Sequence, residues 1–180
     1  SPGFDASEET VVAMRDTMTH RGPDDAGADS WQTNGDGCRV AFGHRRLSIV
    51  DLSHAGHNPM PNEDRTVWIT FNGEIYNFLE LRGVLEAAGH RFRSRTDTEV
   101  VLAAYRQWGI ACLDRLAGMF AFAIWDEPRR RLWVVRDRLG KKPLYVYWEP
   151  GLVSFGSELK ALIAGPSFDR TIDQRAVSSY

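Results

Sequence analysis

MFAFAIWDEPRRRLWVVRDRLGKKPLYVYWEPGLVSF, residues 119–155, is the stretch on which the fold turns. Its apolar and aromatic residues fall in four runs, Met119 to Trp125, Leu132 to Arg136, Leu144 to Trp148 and Leu152 to Phe155. The connections between them are short and rich in Pro, Gly and charge. Consecutive β-rich runs joined so closely pair antiparallel, because a parallel pair needs a long crossover.

Working outward, Thr66 to Phe71 reads as a further strand, ending at Asn72-Gly73. Arg39 to Leu52 alternates as one strand or a bent pair, with Arg45, Leu47 and Ile49 on one face and His44, Arg46, Ser48 and Val50 on the other. Only one of the two neighbouring arginines then faces inward. Helical spacing marks Ala6 to Met18, with Ser7 as N-cap, and Tyr76 to Ala88, with Gly89 as the left-handed stop. Thr96-Asp97-Thr98-Glu99 fits a capping box and opens a helix that runs to about Trp108 and stops at Gly109. A short helix over Cys112 to Ala117 and a closing one near Glu158 to Ile163 complete an α+β domain of residues 1–165. His20-Arg21-Gly22-Pro23-Asp24-Asp25 is a turn-forming run. Residues 166–180 read as the start of a linker.

Composition removes several function classes. Twenty-two Lys and Arg against 24 Asp and Glu leave a formal net charge of −2, so no excess of basic charge directs the chain to nucleic acid. Hydrophobic residues at 43% and charged residues at 26% suit a globular domain. No apolar run approaches the roughly 18 residues of a membrane helix, and Ser1 to Thr10 is acidic where a secretory signal is basic, so a cytoplasmic protein with no membrane partner is expected. Cys38 and Cys112 are too few for a disulfide framework and are read as reduced. His54 and His57 have a ligand-like spacing but no nearby Cys or pair of acids, so no metal site is expected. Phosphate loops, dinucleotide fingerprints, zinc-protease helices and nucleophile elbows are all absent. Trp68, Trp125, Trp133 and Trp148 suit a core or an interface alike, and a homodimer is compatible with both.

Three pieces share a chemical theme: Arg46 on a strand, Asn72-Gly73-Glu74 at a strand end, and Asp97 at a helix start. A guanidinium binds a carboxylate bidentately and carboxylates bind an ammonium, so an Arg and two acids grip both ends of a free amino acid. A side-chain amide and a backbone N–H at Asn72 and Gly73 make a donor pair for an oxyanion. Each piece also has an ordinary reading. Asn-Gly is first a turn dipeptide, a strand arginine commonly lies at a sheet rim, and Asp97 suits the helix dipole whatever it binds. Cys112 among leucines reads as a core residue, and neither cysteine has a neighbouring cue for an activated thiolate.

Six segments in order carry a resemblance: His20-Arg21-Gly22-Pro23-Asp24; Gly43-His44-Arg45-Arg46-Leu47-Ser48-Ile49-Val50-Asp51; Phe71-Asn72-Gly73-Glu74-Ile75-Tyr76-Asn77; Ser94-Arg95-Thr96-Asp97-Thr98-Glu99; Gly118-Met119-Phe120-Ala121-Phe122; and Arg136-Asp137-Arg138-Leu139-Gly140-Lys141-Lys142-Pro143-Leu144-Tyr145. Together they resemble the glutaminase domain of class II glutamine amidotransferases, in the asparagine synthetase-like branch. The resemblance implies an N-terminal-nucleophile hydrolase fold, a four-layer αββα sandwich of two antiparallel sheets, here lacking its first strand. It implies that Arg46 binds the α-carboxylate of L-glutamine, with backbone from Leu47, Ile49 and Val50 lining the same pocket. Glu74 and Asp97 would hold the α-ammonium, and Asn72 with Gly73 would form the oxyanion hole.

Such domains use an N-terminal Cys, whose thiolate attacks the amide and whose α-amine shuttles the proton. Here the sequence opens Ser1-Pro2-Gly3-Phe4, a turn with too few residues before the first helix for a buried strand. The expectation is a chain that begins downstream of the nucleophile, binds glutamine weakly at best and hydrolyses none. The resemblance also implies a C-terminal synthetase domain, with ATP and Mg as its cofactors, which would use the ammonia. Its Ser-Gly-Gly-x-Asp loop is not in these residues, and no cofactor is expected in this domain. The acceptor, aspartate or another acid, stays open. The rival readings are a non-catalytic scaffold for the synthetase and an amino-acid-binding module.

Overall fold

Alternation along residues 118–126 sets the layering. Phe120, Phe122 and Ile124 join the larger apolar cluster, while Ala123 and Trp125 join a second cluster on the opposite face. The computed structural model describes residues 7–33, 37–47, 54–165, 168–172 and 174–178. In chain order the elements are α1 (Glu8–Asp16), β1 (Asp25–Gln32), β2 (Arg39–Arg46), β3 (Met60–Pro61), β4 (Val67–Ile75), α2 (Phe78–Ala87), α3 (Asp97–Trp108), β5 (Gly118–Asp126), β6 (Arg131–Arg136), β7 (Tyr145–Glu149), β8 (Leu152–Gly156), α4 (Leu159–Ile163) and α5 (Gln174–Ser178). Short 3-10 segments lie at Thr19–Arg21, His54–Gly56 and Gly109–Arg115.

Every strand pair is antiparallel, as the short connections require. β3-β4-β5-β6 form one sheet, and β1-β2 and β7-β8 form two-stranded ribbons. On one face of the sheet, Ile69, Phe71, Phe122 and Ile124 pack on Leu85 of α2 and on Val100, Val101 and Ala104 of α3. Burying side chains of this size contributes about 1.5–3 kcal/mol each. On the other face the ribbons form a second β layer, with Trp31 of β1 against Trp68 at 4.6 Å and Phe42 of β2 against Phe155 of β8 at 5.9 Å. Outside it, α1 lies on β2 and α4 on β8. A Cβ on Gly43 would stand 3.1 Å from the Arg15 Cβ of α1, so the missing side chain brings helix and strand together. The order is helices, sheet, ribbons, helices, the four layers that the resemblance implies.

The helix signals hold where caps fix them. Ser7 Oγ accepts from Thr10 N at 3.2 Å, Thr96 Oγ1 accepts from Glu99 N at 3.3 Å, and Gly89 at φ 94° ends α2 with His90 N bonded to Leu85 O. Tertiary pairing overrides local sequence signals in several places. Asn72-Gly73 is not a turn: β4 continues through it to Ile75, and Gly73 pairs with Phe120. Its glycine is required by close approach, since a Cβ there would collide with the Met119 carbonyl oxygen and lie 2.7 Å from Phe120 Cα. β1, rich in Asp, Gly and Ser, has poor intrinsic strand preference and is held by full-length pairing with β2. The third short helix is a 3-10 segment that starts three residues earlier, at Gly109. Among the described residues the second β layer consists of the ribbons β1-β2 and β7-β8.

Between β2 and β8 runs a cavity of about 1040 Å³, with residues 38–43 on one side and 151–155 on the other, α1 above, and Trp125 and Leu132 of the central sheet below. Among the described residues β2 pairs on one side only, with β1, and β8 only with β7. Trp125 Nε1 is buried there without a hydrogen-bond partner among the described residues.

A buried polar knot ties α3 to the sheet. Asp126, fully buried, accepts from Tyr105 Oη at 2.7 Å, Arg129 N at 3.0 Å and Arg129 Nη1 at 2.8 Å, and Tyr105 Oη accepts from Trp133 Nε1 at 3.1 Å. Burial alone would raise the Asp126 carboxyl, but the bonds from Tyr105 and Arg129 outweigh it and hold it below its usual range. Tyr105→Phe removes one donor from the carboxylate and the acceptor from Trp133. The expected result in urea unfolding is a loss of about 1–3 kcal/mol with an unchanged m-value; an unmoved midpoint would show that the knot contributes nothing.

Candidate functional site

Strand alternation puts the two arginines to different uses. Arg45 turns to α1 and the preceding turn, giving Nε to Gly22 O at 3.0 Å and approaching Asp16 at 3.6 Å. Arg46 points the other way and crosses Gly56, where a Cβ would collide with its guanidinium. Behind it Asp25, its cross-strand partner, is bonded to His57 Nδ1 at 2.8 Å. Burial would raise Asp25, but the His57 hydrogen bond and charge, with Arg46 further off, hold it below its usual value. His44 is driven by burial down to about 4, so it is a neutral imidazole at pH 7, 3.2 Å from Thr70 Oγ1.

β4 supplies the other wall. Its even-numbered residues bond to β5, as Tyr76 N to Ala117 O and Glu127 N to Thr66 O establish at the two ends. Its odd-numbered residues present N–H groups to the opposite edge, where β3 is only two residues long. Side chains take over there: Asn58 Oδ1 accepts from Phe71 N at 3.2 Å and Asp97 Oδ2 from Ile75 N at 2.9 Å. Between them the N–H of Gly73 has no partner among the described residues. Asn72 and Glu74 stand on one face of the strand, and Asn72 Nδ2 donates to Ser157 Oγ at 3.3 Å.

Asp97 is placed by the start of α3. Glu99 reaches back past the cap to Arg93 N at 2.8 Å and Ser94 N at 2.7 Å, which fixes the entry of the chain. Asp97 is 9% exposed, and its carboxyl lies above the usual aspartate value, first through burial and in part through the charge of Glu74. Two acids so arranged favour a cation beside them.

One cavity of about 360 Å³ is lined by Arg46, Leu47, Asn72, Gly73, Glu74 and Asp97 together. Ile49 and Val50 lie outside the described residues. The space thus has a guanidinium, two carboxyl groups and a free backbone donor beside an amide, complementary to a small zwitterion with a side-chain carbonyl. Met18, Gly43 and Phe155 line both this cavity and the one between β2 and β8, so the two adjoin. Cys38 and Cys112 line neither wall of the smaller cavity. The Cys112 thiol is fully buried and pushed up to about 11, first by burial, which makes it inert. Among the described residues no three His, Cys, Asp or Glu side chains are grouped to hold a metal. No helix among them is long and apolar enough to cross a membrane.

Sequence reasoning missed Ser157, His44 and Gly56. A serine between a strand and a helix is also an ordinary capping residue, and nothing local marks Gly56 as the gap through which Arg46 passes.

The chain is similar to known proteins over most of its length. A family model described as a glutamine amidotransferase domain matches residues 3–180. An asparagine synthetase (glutamine-hydrolysing) of Bacillus subtilis is 42% identical over 173 residues, covering 95% of this chain and 27% of the relative. An asparagine synthetase (glutamine-hydrolysing) of Oryza sativa subsp. japonica is 39% identical over 158 residues, covering 87% of this chain and 25% of the relative. The chain thus spans about a quarter of the length of these relatives. Among solved structures, the glutamine phosphoribosylpyrophosphate amidotransferase of B. subtilis superposes with a TM-score of 0.72 over 90% of this chain and 42% of its own, at 21% identity. That likeness shows the N-terminal-nucleophile hydrolase fold. By sequence along nearly its whole length, the chain belongs to the glutamine amidotransferase domain family.

Proposed function

We propose that this domain hydrolyses L-glutamine to glutamate and ammonia for an ATP-dependent, amide-forming synthetase domain of the same polypeptide. Arg46 receives the α-carboxylate, Glu74 and Asp97 the α-ammonium, and the carboxamide oxygen lies between Asn72 Nδ2 and Gly73 N–H. The observation that carries the reading is the unclaimed Gly73 N–H inside a cavity that also holds both halves of a zwitterion clamp. A backbone N–H that no strand neighbour claims is a donor available to a ligand.

The nucleophile in this reading is a thiol at the end of an extended segment lying between β2 and β8. The adjoining cavities and, among the described residues, the one-sided pairing of β2 and β8 and the unpartnered Trp125 Nε1 support such an occupant. The thiolate adds to the carboxamide carbon, and the charge that develops on oxygen meets the two donors. The segment's α-amine takes the thiol proton and passes it to the leaving nitrogen, which departs as ammonia. Water, deprotonated by the same amine, then opens the thioester, releasing glutamate and restoring the thiol. The relatives named above are asparagine synthetases, which favours aspartate as the acceptor.

Three measurements on the full-length protein with its natural N-terminus test this. Glutamate release from glutamine is expected, and its absence despite a free N-terminal Cys would sink the enzyme reading and leave a non-catalytic scaffold or, if glutamine still binds, an amino-acid-binding module. Asn72→Ala should lower kcat by ~10²–10³ with folding intact; an unchanged rate would remove Asn72 from the oxyanion hole. Asp97→Asn should raise KM for glutamine by about 10–100-fold, the loss of one charge-assisted hydrogen bond. Only ionised Asp97 attracts the ammonium, and its raised pKa starts the rise in the parent's KM, as pH falls, at a higher pH than an exposed aspartate would. The variant's KM should lack that acid limb. The introduced amide keeps an oxygen that accepts from Ile75 N, and a carboxyl raised by folding opposes folding above its pKa, so Tm at pH 7 should stay level or increase. A lowered Tm with unchanged KM would make Asp97 structural only.

A further inference from the structure

Ser157 occupies the junction where β8 hands over to α4, across the cavity from β4, and its hydroxyl oxygen accepts from Asn72 Nδ2 at 3.3 Å. A primary amide has two N–H groups. With one engaged by Ser157, the side chain is fixed in a single rotamer and the second N–H remains for the cavity. Without that anchor the Asn72 side chain projects from one face of a strand, and an amide that turns freely is a poor oxyanion donor, because preorganisation is what gives such donors their effect.

Ser157 is itself firmly held. Gly156 before it pairs with Tyr145. Glu158 after it is gripped by Lys160 at 3.0 Å, Arg21 at 3.1 Å and His20 at 3.0 Å. The hydrogen bonds from Lys160 foremost, then Arg21 and His20, pull the Glu158 carboxyl down to about 2, so it stays ionised throughout the physiological range. The turn that carries His20 and Arg21 is locked to the end of β2 through Gly22 O and Arg45 Nε. These contacts to Glu158 therefore fix Ser157 relative to the strand that bears Arg46.

We infer that Ser157, anchored by Glu158, is a positioning residue for the Asn72 amide, holding one of its N–H groups toward the oxygen that becomes negative. The inference rests on the glutamine-hydrolysis reading for its kinetic consequence, though not for its geometric one.

The test combines kinetics and structure on the full-length protein. Ser157→Ala is expected to lower kcat about 10- to 100-fold, the scale of a misplaced catalytic group, while KM stays within about twofold because the zwitterion clamp is intact. In an Asn72→Ala background the same change should have no further effect on kcat, a coupling that a merely structural role does not produce. Ser157→Thr, which keeps the hydroxyl, should retain most of the rate. Crystal structures of parent and Ser157→Ala should show Asn72 leaving its rotamer. An unchanged kcat, a loss that multiplies with that of Asn72→Ala, or an Asn72 that stays in place overturns the inference. If the parent releases no glutamate, the functional reading fails, and the Asn72 rotamer alone decides the role of Ser157.

Discussion

The shortness of β3 governs the site. A strand in the interior of a sheet has every amide claimed by its neighbours, but β4 runs well past the end of β3 on one edge. Buried amides cannot be left to chance, and the protein assigns them individually: Asn58 takes Phe71, Asp97 takes Ile75, and Gly73 is left facing the cavity. The same truncation that opens the sheet edge therefore creates the donor, and the residue that closes the edge, Asp97, also supplies charge to the pocket. Structure and chemistry share one set of hydrogen bonds.

Much of this was legible in the sequence because periodic signals are local. The runs over residues 119–155 pointed to the antiparallel architecture, and caps at Ser7, Gly89 and Thr96 marked helix ends within two residues. Arg46, Asn72, Gly73, Glu74 and Asp97 were picked out by charge and donor type, and the fold brings them to one cavity. What the sequence hid is tertiary. The Asn72-Gly73 pair carries the local mark of a turn, yet strand pairing overrides it, since Gly73 is needed for the close approach of β5. β1 has little strand character of its own. Ser157, 85 residues from Asn72, has no local signature at all.

The polar interior is divided between stability and chemistry. The knot of Tyr105, Asp126, Arg129 and Trp133 is saturated, and its carboxyl ionises readily. Asp97, by contrast, is buried with fewer partners and resists ionisation. Both are aspartates near the ends of regular elements. The first has its charge neutralised by donors, while the second is raised by burial and by the charge of Glu74.

The ion cluster around Glu158 joins a turn near the start of the domain to a helix near its end, across 138 positions from His20 and 137 from Arg21. Contacts of such long sequence separation close late, after the loops they span have collapsed. During synthesis the early turn must wait, with Arg21 solvated, until the ribosome has released the residues around Glu158. The junction that carries Ser157 is therefore completed only once both of its distant ends have been made.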